Sequence, residues 1–250
     1  MKGTTSISVF FHNYYGDDQR WLDFFSTELI LPFHLFYNGV SGSYHRLMQK
    51  SNVTVLTEQR PKTHLQQLII KESTNKGKDI GGKLILMDAY LKLGIKSEYI
   101  LLLHDKVSWY HSNGEQWKKN LFRIADKEHQ DRIISLFNKN PNVGIIASEN
   151  MIRNEEDNEQ KRDAYTNSEF IKELKNKYGI QPPHLSYIAG TMFWVRAALL
   201  EAFFSQYPPL EVRSTLEEGN VTDETPTITH AWERLLCWMV TAKGFQIKGI

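Results

Sequence analysis

Short apolar runs and longer amphipathic stretches alternate along most of the chain. Runs rich in β-branched and aromatic residues predict strands, and stretches whose apolar residues recur every three or four positions predict helices. Two predicted strands, Tyr99–Leu103 and Val143–Ala147, carry no charged residue. Such continuous apolar strands are typical of a parallel sheet that helices cover on both faces. The pattern therefore predicts an α/β protein with a mostly parallel sheet flanked by helices.

The same two periodicities predict the other elements. Further strands are predicted at Ile7–Phe11, His34–Asn38, Val53–Thr57 and Tyr187–Val195. Helices are predicted at Trp21–Leu29, Tyr44–Lys50, Gln116–Ala125, Glu128–Phe137, Ser168–Tyr178, Ala197–Phe204 and Thr227–Ala242. The segment Leu65–Lys71 is compatible with a helix or an extended piece. Residues 244–250 resemble the beginning of a strand, and we expect the chain to be cut from a longer protein.

The most informative part of the sequence joins a glycine-rich loop, a helix and a buried strand. The loop is Asn75–Gly82, and the strand Tyr99–Leu103 ends in His104, Asp105 and Lys106. Ligands of open α/β sheets bind outside the carboxyl ends of the strands. Three ionisable residues after a buried strand must also reach solvent or find partners. We interpret this region as a ligand site, although the loop alone is equally compatible with a plain turn and helix start.

Composition narrows the possible functions. The chain has 250 residues, of which 41% are hydrophobic and 24% are charged, as in ordinary globular proteins. The formal net charge of +1 and the spread of the basic residues argue against a nucleic-acid binder. Cys237 is the only cysteine and is predicted to lie in the core. No apolar run approaches the roughly 20 residues that span a bilayer, so we expect a soluble cytoplasmic protein.

Four blocks of sequence, in this order, resemble the rhamnan synthesis protein F family. They are Asn75–Gly81, His104–Lys106 with Ser108, Ala189–Arg196 and His230–Leu235. The resemblance extends from about Ile7 to the end of the chain. It implies a glycosyltransferase-like protein of bacterial cell-surface polysaccharide assembly, the class that includes cell-wall and O-antigen glycans. The order and spacing of the blocks also resemble the GT-A fold, the nucleotide-diphospho-sugar transferase fold.

The resemblance implies a single domain over 1–250, with a donor-nucleotide half at about 1–110 and an acceptor half at about 111–250. It places the donor at strand ends and at the start of the helix, on Phe11, His12, Asn75, Lys78, Asp79, His104, Asp105 and Lys106. In GT-A enzymes an Asp-x-Asp motif at the last of these places holds a divalent cation against the diphosphate. Here that place contains only one carboxylate. A lysine could supply the positive charge instead, or His104 and Asp105 could retain Mn²⁺ or Mg²⁺.

The resemblance also implies an acceptor site. Inverting GT-A transferases carry an acidic residue near the start of a helix that ends in glycine, where it removes a proton from the acceptor hydroxyl. Glu233 is the closest candidate, counted back from Gly244, and Asp223 and Glu224 are the others. The plain alternative for Glu233 is a solvated helix face that it shares with Arg234. The acceptor-binding candidates are Gly190, Thr191, Trp194 and His230.

These expectations describe an inverting glycosyltransferase. It would move rhamnose, or another hexose or deoxyhexose, from a nucleotide diphosphate to a glycan or lipid-linked glycan. Peripheral contact with the inner face of the membrane and further domains are compatible with the family. A second hypothesis is a non-catalytic glycan- or nucleotide-binding module of a larger assembly protein. A nucleotidyltransferase is disfavoured, because no glycine-rich basic motif lies near the first strand.

Overall fold

The computed structural model describes residues 5–40, 64–105, 119–156, 167–219 and 226–250. The strands are β1 (Ile7–Asn13), β2 (Phe33–Val40), β3 (Leu65–Ser73), β4 (Tyr99–His104), β5 (Val143–Ala147), β6 (Ile152–Asn154), β7 (Ser186–Ile188), β8 (Phe193–Arg196) and β9 (Gln246–Gly249). The α-helices are α1 (Asp18–Glu28), α2 (Lys78–Leu93), α3 (Lys127–Lys139), α4 (Ser168–Tyr178), α5 (Ala197–Gln206), α6 (Pro209–Ser214) and α7 (Ile228–Thr241). Two short 3₁₀ helices cover Arg123–Ala125 and Glu149–Met151.

In the described residues, seven strands form one sheet in the order β3-β2-β1-β4-β8-β5-β9. All neighbours are parallel except β8, which runs antiparallel to both β4 and β5. Strands β6 and β7 form a separate antiparallel pair. The predicted α/β class, with a mostly parallel sheet flanked by helices, is confirmed.

The order of the strands creates a switch point between β1 and β4. From β1 the chain moves outward through β2 to β3, and it then returns to the other side of β1 to form β4. Connections therefore leave these two parallel neighbours in opposite directions. In open α/β sheets such a point opens a crevice at the carboxyl ends of the strands, which is where ligands bind.

The core is built on the central strands. Every residue of β1, β4 and β5 is buried, which explains their continuous apolar sequences. Three tryptophans are also completely buried, Trp194 on β8 and Trp232 and Trp238 on α7. Full burial of each large apolar side chain stabilises the fold by about 1.5–3 kcal/mol. Cys237 is buried as predicted, and burial raises the pKa of its thiol to about 12, so it stays protonated at neutral pH.

Helix α2 lies unusually close to the end of β1. A Cβ atom added to Gly82 would lie 2.1 Å from Nδ1 of His12, and one added to Gly81 would lie 1.8 Å from the carbonyl oxygen of Lys76. Gly82 therefore allows the helix to approach the His12 ring on β1, and Gly81 allows the loop before the helix to fold back on its first turn. The helix ends at Gly94, whose φ of +65° is left-handed, the backbone conformation with which helices commonly end.

Some predicted elements need correction. The strand predicted over Tyr187–Val195 is two strands, β7 and β8, which belong to different sheets. Between them Gly190 and Thr191 have φ values of +81° and +52°, a backbone that cannot continue a strand. The helix predicted to end at Ala125 closes as the 3₁₀ turn Arg123–Ala125.

Other predicted segments have different outcomes. The ambiguous segment at Leu65 is extended, as edge strand β3. The strand expected after Gly244 is β9. The helix predicted at Tyr44–Lys50 and the strand predicted at Val53–Thr57 lie outside the described residues.

Candidate active site

The carboxyl ends of β1 and β4 bring two predicted site histidines side by side. His12 lies opposite His104 in the parallel register of the two strands. The next residue, Asp105, donates its main-chain N–H to the carbonyl oxygen of His12 over 3.0 Å. Three of the predicted donor residues therefore meet at the switch point of the sheet.

His12 is buried and neutral. Its Nδ1 lies 2.7 Å from Oδ1 of Asn38, while Nδ2 of Asn38 lies 3.4 Å from the carbonyl oxygen of Lys71. The amide oxygen of Asn38 thus faces the ring, and Nδ1–H of His12 is the donor. Burial lowers the pKa of His12 to about 4, against the opposing effects of the Asn38 hydrogen bond and the Asp79 charge. Within the described part of the chain, Nε2 of His12 has no hydrogen-bond partner.

A buried polar cluster, which we call the Lys83 cluster, joins Asp79, Lys83, His104 and Thr191. The ammonium of Lys83 lies 2.8 Å from Oδ2 of Asp79 and 3.2 Å from Nδ1 of His104. It also donates to the carbonyl oxygen of Thr191 over 2.9 Å and to its hydroxyl over 2.5 Å. The Thr191 hydroxyl in turn donates to Asp79. The cluster ties the start of α2 to the end of β4 and to the turn before β8.

The charges of the cluster fix its protonation. Burial on its own would raise the pKa of Asp79, but the positive charge of Lys83, the neighbouring His104 ring and the hydrogen bonds from Lys83 and Thr191 outweigh it. The pKa of Asp79 therefore falls well below its ordinary value, and the carboxylate is ionised. The contact between the Lys83 ammonium and Nδ1 is a hydrogen bond in the tautomer of His104 that carries its proton on Nε2.

Lys83 was not among the residues predicted from the sequence. Only 4% of its surface is exposed, and lysines are almost never so buried unless they are paired. The sequence contained a signal: Lys83 follows Asp79 by four residues, on the helix face that also carries Ile80, Leu84 and Met87. A lysine on an apolar helix face, one turn after an aspartate, indicates a buried ion pair.

The turn at Gly190 and Thr191 links the Lys83 cluster to Glu233. The main-chain N–H of Gly190 donates to Oε1 of Glu233 over 2.7 Å, while Thr191 belongs to the cluster. A β-branched residue with positive φ is a genuine conformational outlier, so the contacts of Thr191 must hold it there. Predicted donor and acceptor residues are therefore neighbours across a single turn.

Glu233 is the outer member of a second polar network. Its Oε2 pairs with Nη1 of Arg234 over 2.5 Å. Arg234 donates from Nε to Glu155 over 2.8 Å, and its guanidinium lies 4.2 Å from the centre of the Tyr187 ring. The Glu233 side chain is 20% exposed, whereas that of Arg234 is 5% exposed. The alternative of a solvated helix face shared by both residues is therefore wrong for Arg234.

Asp105 contacts the loop that follows β1. Its two carboxylate oxygens accept the main-chain N–H groups of Tyr14, over 2.9 Å, and of Tyr15, over 2.5 Å. These tyrosines are 44% and 49% exposed, and their rings lie edge to face with centres 5.0 Å apart. The carboxylate thus turns toward the loop, and the loop presents two aromatic rings to solvent at the edge of the crevice.

Two predicted aromatic residues lie in the core. Phe11 is completely buried against Trp21 and Phe25, with ring centres 4.8 and 5.0 Å away. Only its main chain can reach the crevice. Trp194 is also completely buried, and its Nε1–H donates to the carbonyl oxygen of Ile124 over 2.8 Å. Its ring cannot contact an acceptor, because it is packed in the core against the sheet.

The loop before α2 packs on a later part of the chain. Asn75 donates from Nδ2 to the carbonyl oxygen of Gly219 over 3.3 Å and accepts from the main chain of Lys78 over 2.9 Å. Arg213 donates to the carbonyl oxygen of Thr74 over 3.1 Å. Asn75 therefore shapes the helix start, and Lys78 is the first residue of α2.

His230 belongs to the start of α7. Thr227 caps this helix by accepting the main-chain N–H of His230 over 3.0 Å, and its hydroxyl lies 3.0 Å from Nδ1 of the same histidine. Glu217 adds a second cap, because its carboxylate accepts the N–H groups of Ile228 and Thr229. These contacts give His230 a role in the helix terminus.

The other predicted site residues, Lys106, Asp223 and Glu224, lie outside the described residues. A divalent cation at His104 and Asp105 stays a prediction. Among the residues that the structure describes, no group of three or more His, Cys, Asp or Glu side chains could hold a metal ion. In the same residues no helix is both long and apolar enough to cross a membrane.

One comparison, with the profile of the rhamnan synthesis protein F family, confirms the family predicted from the sequence. No curated protein matches the chain. The chain is similar to the solved structure of S. aureus TarS 1–349 with UDP, with 11% identity over 84% of this chain and 54% of that chain and a TM-score of 0.37. It is also similar to the structure of TarS 1–349 without UDP, with 10% identity over 79% of this chain and 49% of that chain and a TM-score of 0.39. A third similar structure is that of mouse xyloside xylosyltransferase 1 in the apo form, with 9% identity over 99% of this chain and 84% of that chain and a TM-score of 0.34. The chain spans about half the length of the TarS chains. The sequence profile described as rhamnan synthesis protein F matches residues 1–245, and the chain belongs to the rhamnan synthesis protein F family.

Proposed function

We propose that the protein is a glycosyltransferase that moves a sugar from a nucleotide-diphosphate donor to a growing bacterial cell-surface polysaccharide. The observation that carries the proposal is the meeting of His12, His104 and Asp105 at the switch point between β1 and β4. This is the place where open α/β sheets bind their ligands. Family membership supports a glycan product.

The donor diphosphate would lie near the start of α2. Helix N-termini attract anions through their free N–H groups and dipole, and Gly77 provides no side-chain cap there. The exposed rings of Tyr14 and Tyr15 offer a surface on which a flat nucleobase can stack. The family description favours rhamnose as the sugar, with other hexoses and deoxyhexoses as alternatives.

The acceptor would enter on the side of Glu233. In the proposed reaction the acceptor hydroxyl oxygen attacks the anomeric carbon, and the bond to the diphosphate oxygen breaks. The hydroxyl proton passes to a carboxylate, and direct displacement inverts the anomeric carbon. Glu233 is our candidate for this base because it is partly exposed next to the Gly190 turn. Asp223 stays the alternative. A cytoplasmic location, with contact to the inner face of the membrane through a lipid-linked acceptor, belongs to the same proposal.

One observation favours the second hypothesis, a non-catalytic binding module. Both oxygens of Glu233 and both oxygens of Asp105 already accept hydrogen bonds or pair with an arginine. The partners of Glu233 occupy positions that an acceptor hydroxyl would need for proton transfer to this carboxylate. The module would bind the donor or a glycan and leave transfer to another part of the assembly machinery.

Release of nucleoside diphosphate from a panel of nucleotide sugars, with and without glycan acceptor, distinguishes the two hypotheses. The transferase should release nucleoside diphosphate from one donor, faster with acceptor. Glu233→Gln should lower kcat by about 10²-fold or more with unchanged donor affinity, whereas the exposed control Glu211→Gln should match the wild type. Binding without turnover would favour the module, and full activity of Glu233→Gln would exclude this residue as the base.

A further inference from the structure

We infer that Asp105 is a positioning residue that holds the loop between β1 and α1, and that it is not a ligand of a divalent cation. The part of this inference that concerns the donor rests on the proposed function. The part that concerns the loop rests on the contacts of Asp105 alone.

Asp105 bridges the end of β4 to β1 and to the loop after it. Its own N–H donates to the carbonyl oxygen of His12 over 3.0 Å. Its carboxylate then accepts from Tyr14 over 2.9 Å and from Tyr15 over 2.5 Å, one N–H on each oxygen. Hydrogen bonds to a charged acceptor are stronger than neutral ones. The carboxylate therefore fixes two consecutive peptide groups of the loop.

The loop that Asp105 holds carries the two most exposed aromatic residues of the described part of the chain. The main chain of Tyr14 and Tyr15 is fixed, while the two residues are 44% and 49% exposed. Exposed rings on a fixed backbone lose little entropy when a planar ligand stacks on them, which is the advantage of preorganisation. Asp105 thus acts on the donor through the tyrosines.

The described residues at this strand end do not fit a divalent cation. Mg²⁺ requires six ligands in near-octahedral geometry, and Mn²⁺ also prefers oxygen-rich sites. Both Asp105 oxygens face main-chain N–H groups, and the ammonium of Lys83 lies 3.2 Å from Nδ1 of His104. In the described ranges no third His, Cys, Asp or Glu completes a group around them. A cation here would meet an amide on each carboxylate oxygen and a lysine beside the imidazole.

Amide hydrogen exchange, resolved by NMR in the absence of any ligand, tests the loop part of the inference. In Asp105→Asn one carboxamide group must face two N–H donors, so at least one hydrogen bond is lost. We expect the amide of Tyr14 or Tyr15 to exchange about tenfold faster or more, the change that corresponds to one hydrogen bond to a charged acceptor. The amide of Gly16, which donates to Oδ1 of Asn13 over 3.1 Å, is the internal reference and should keep its rate.

Titration of the wild-type protein with nucleoside diphosphates, in EDTA and then in Mn²⁺ or Mg²⁺, tests the donor part without any variant. We expect the Kd for the preferred nucleotide to be the same within a factor of two in all three conditions. Asp105→Asn should raise that Kd without creating metal dependence.

Two results would overturn the inference. One is unchanged exchange of both tyrosine amides in folded Asp105→Asn. The other is a wild-type affinity that falls tenfold or more in EDTA and returns with the cation. If no nucleotide binds under any condition, the proposed donor site is wrong, and the exchange rates still decide the role of Asp105. If Asp105→Asn does not fold, the wild-type titration decides between loop holder and cation ligand.

Discussion

Lys83 occupies the point where three segments of the chain meet. Its ammonium contacts Asp79 on α2, His104 at the end of β4 and Thr191 on the turn before β8. The side chain of Lys83 is 4% exposed and that of Asp79 is 23% exposed. Removal of one partner of such a pair leaves the other charge poorly solvated, which costs more than the pair itself contributes.

Lys83→Met should therefore lower the free energy of unfolding by about 2–4 kcal/mol, somewhat less than for a fully buried pair because Asp79 keeps some contact with water. Adding Asp79→Asn to this variant should recover part of the loss, since the isolated charge disappears. Urea unfolding of both single variants and the double variant measures the coupling. A loss below about 0.5 kcal/mol in Lys83→Met, or a double variant no more stable than the single one, would contradict this account of the cluster.

His12 should make stability depend on pH. Its pKa in the folded protein is about 4, below the ordinary 6.5, so the unfolded chain takes up a proton at a higher pH than the folded protein does. The contribution of neutral His12 is complete above pH 6.5 and is lost as the pH falls towards 4. Between pH 7 and pH 5 this loss amounts to about 2 kcal/mol.

His12→Asn is the matched variant, because its amide can still donate to Asn38 but does not titrate. Urea unfolding at pH 7 and pH 5 should show a loss about 2 kcal/mol smaller in His12→Asn than in the wild type. Equal losses in the two proteins would mean that His12 is already charged, or solvated, in the folded state.

Individual site residues could be predicted from the sequence only where they follow directly on an apolar strand. His12 and His104 follow apolar strands, and the register brings them together. Side chains alternate between the two faces of a strand, so Phe11 and His12 lie on opposite faces of β1. Phe11 packs against Trp21 and Phe25, whereas the His12 ring lies beside Gly82 of α2. Trp194 lies between two other completely buried residues of β8, Phe193 and Val195, so its ring also lies in the core. Lys83 was missed because two of its three partners, His104 and Thr191, come from distant parts of the sequence.

At the scale of elements, the positions of strands and helices were largely readable from periodicity. One exception is the segment that contains Gly190, whose flanking residues are apolar enough for one continuous strand. Thr191 keeps a left-handed backbone only through its contacts with the Lys83 cluster. A conformation that tertiary contacts enforce leaves no local pattern, so the division into β7 and β8 could not be predicted.

Helix α2 provides a direct test of close packing. A Cβ at position 82 would lie 2.1 Å from the His12 ring, so Gly82→Ala must displace this ring or push the helix away from β1. We expect a loss of about 1–3 kcal/mol in the free energy of unfolding, as for other overpacked sites, together with weaker nucleotide binding.

The matched control lies at the other end of the same helix. A Cβ on Gly94 meets no atom within 4 Å, so Gly94→Ala should cost only about 1 kcal/mol, from its left-handed backbone, and leave nucleotide affinity unchanged. Equal effects of the two substitutions on affinity would contradict the proposed closeness of α2 to the site.

At the scale of the whole molecule, residues from both halves of the sequence share one sheet. Strand β8 comes from the second half and pairs with β4 from the first, and the Gly190 turn just before it contacts Glu233. This continuity supports the proposal of one domain with a donor half and an acceptor half. The central claim about the molecule is that a nucleotide-diphosphate donor occupies the crevice between the ends of β1 and β4.

Thermal stabilisation of the wild type and of His104→Gln, across a panel of nucleoside diphosphates and their sugars in EDTA, tests this claim most directly. A ligand that binds only the folded state stabilises it by about 2.7 kcal/mol at a hundred times its Kd. We predict a selective rise in the Tm of the wild type with one nucleotide and its sugar, strongly reduced in folded His104→Gln. A wild type that no nucleotide stabilises, or an equal rise in His104→Gln, would contradict the account.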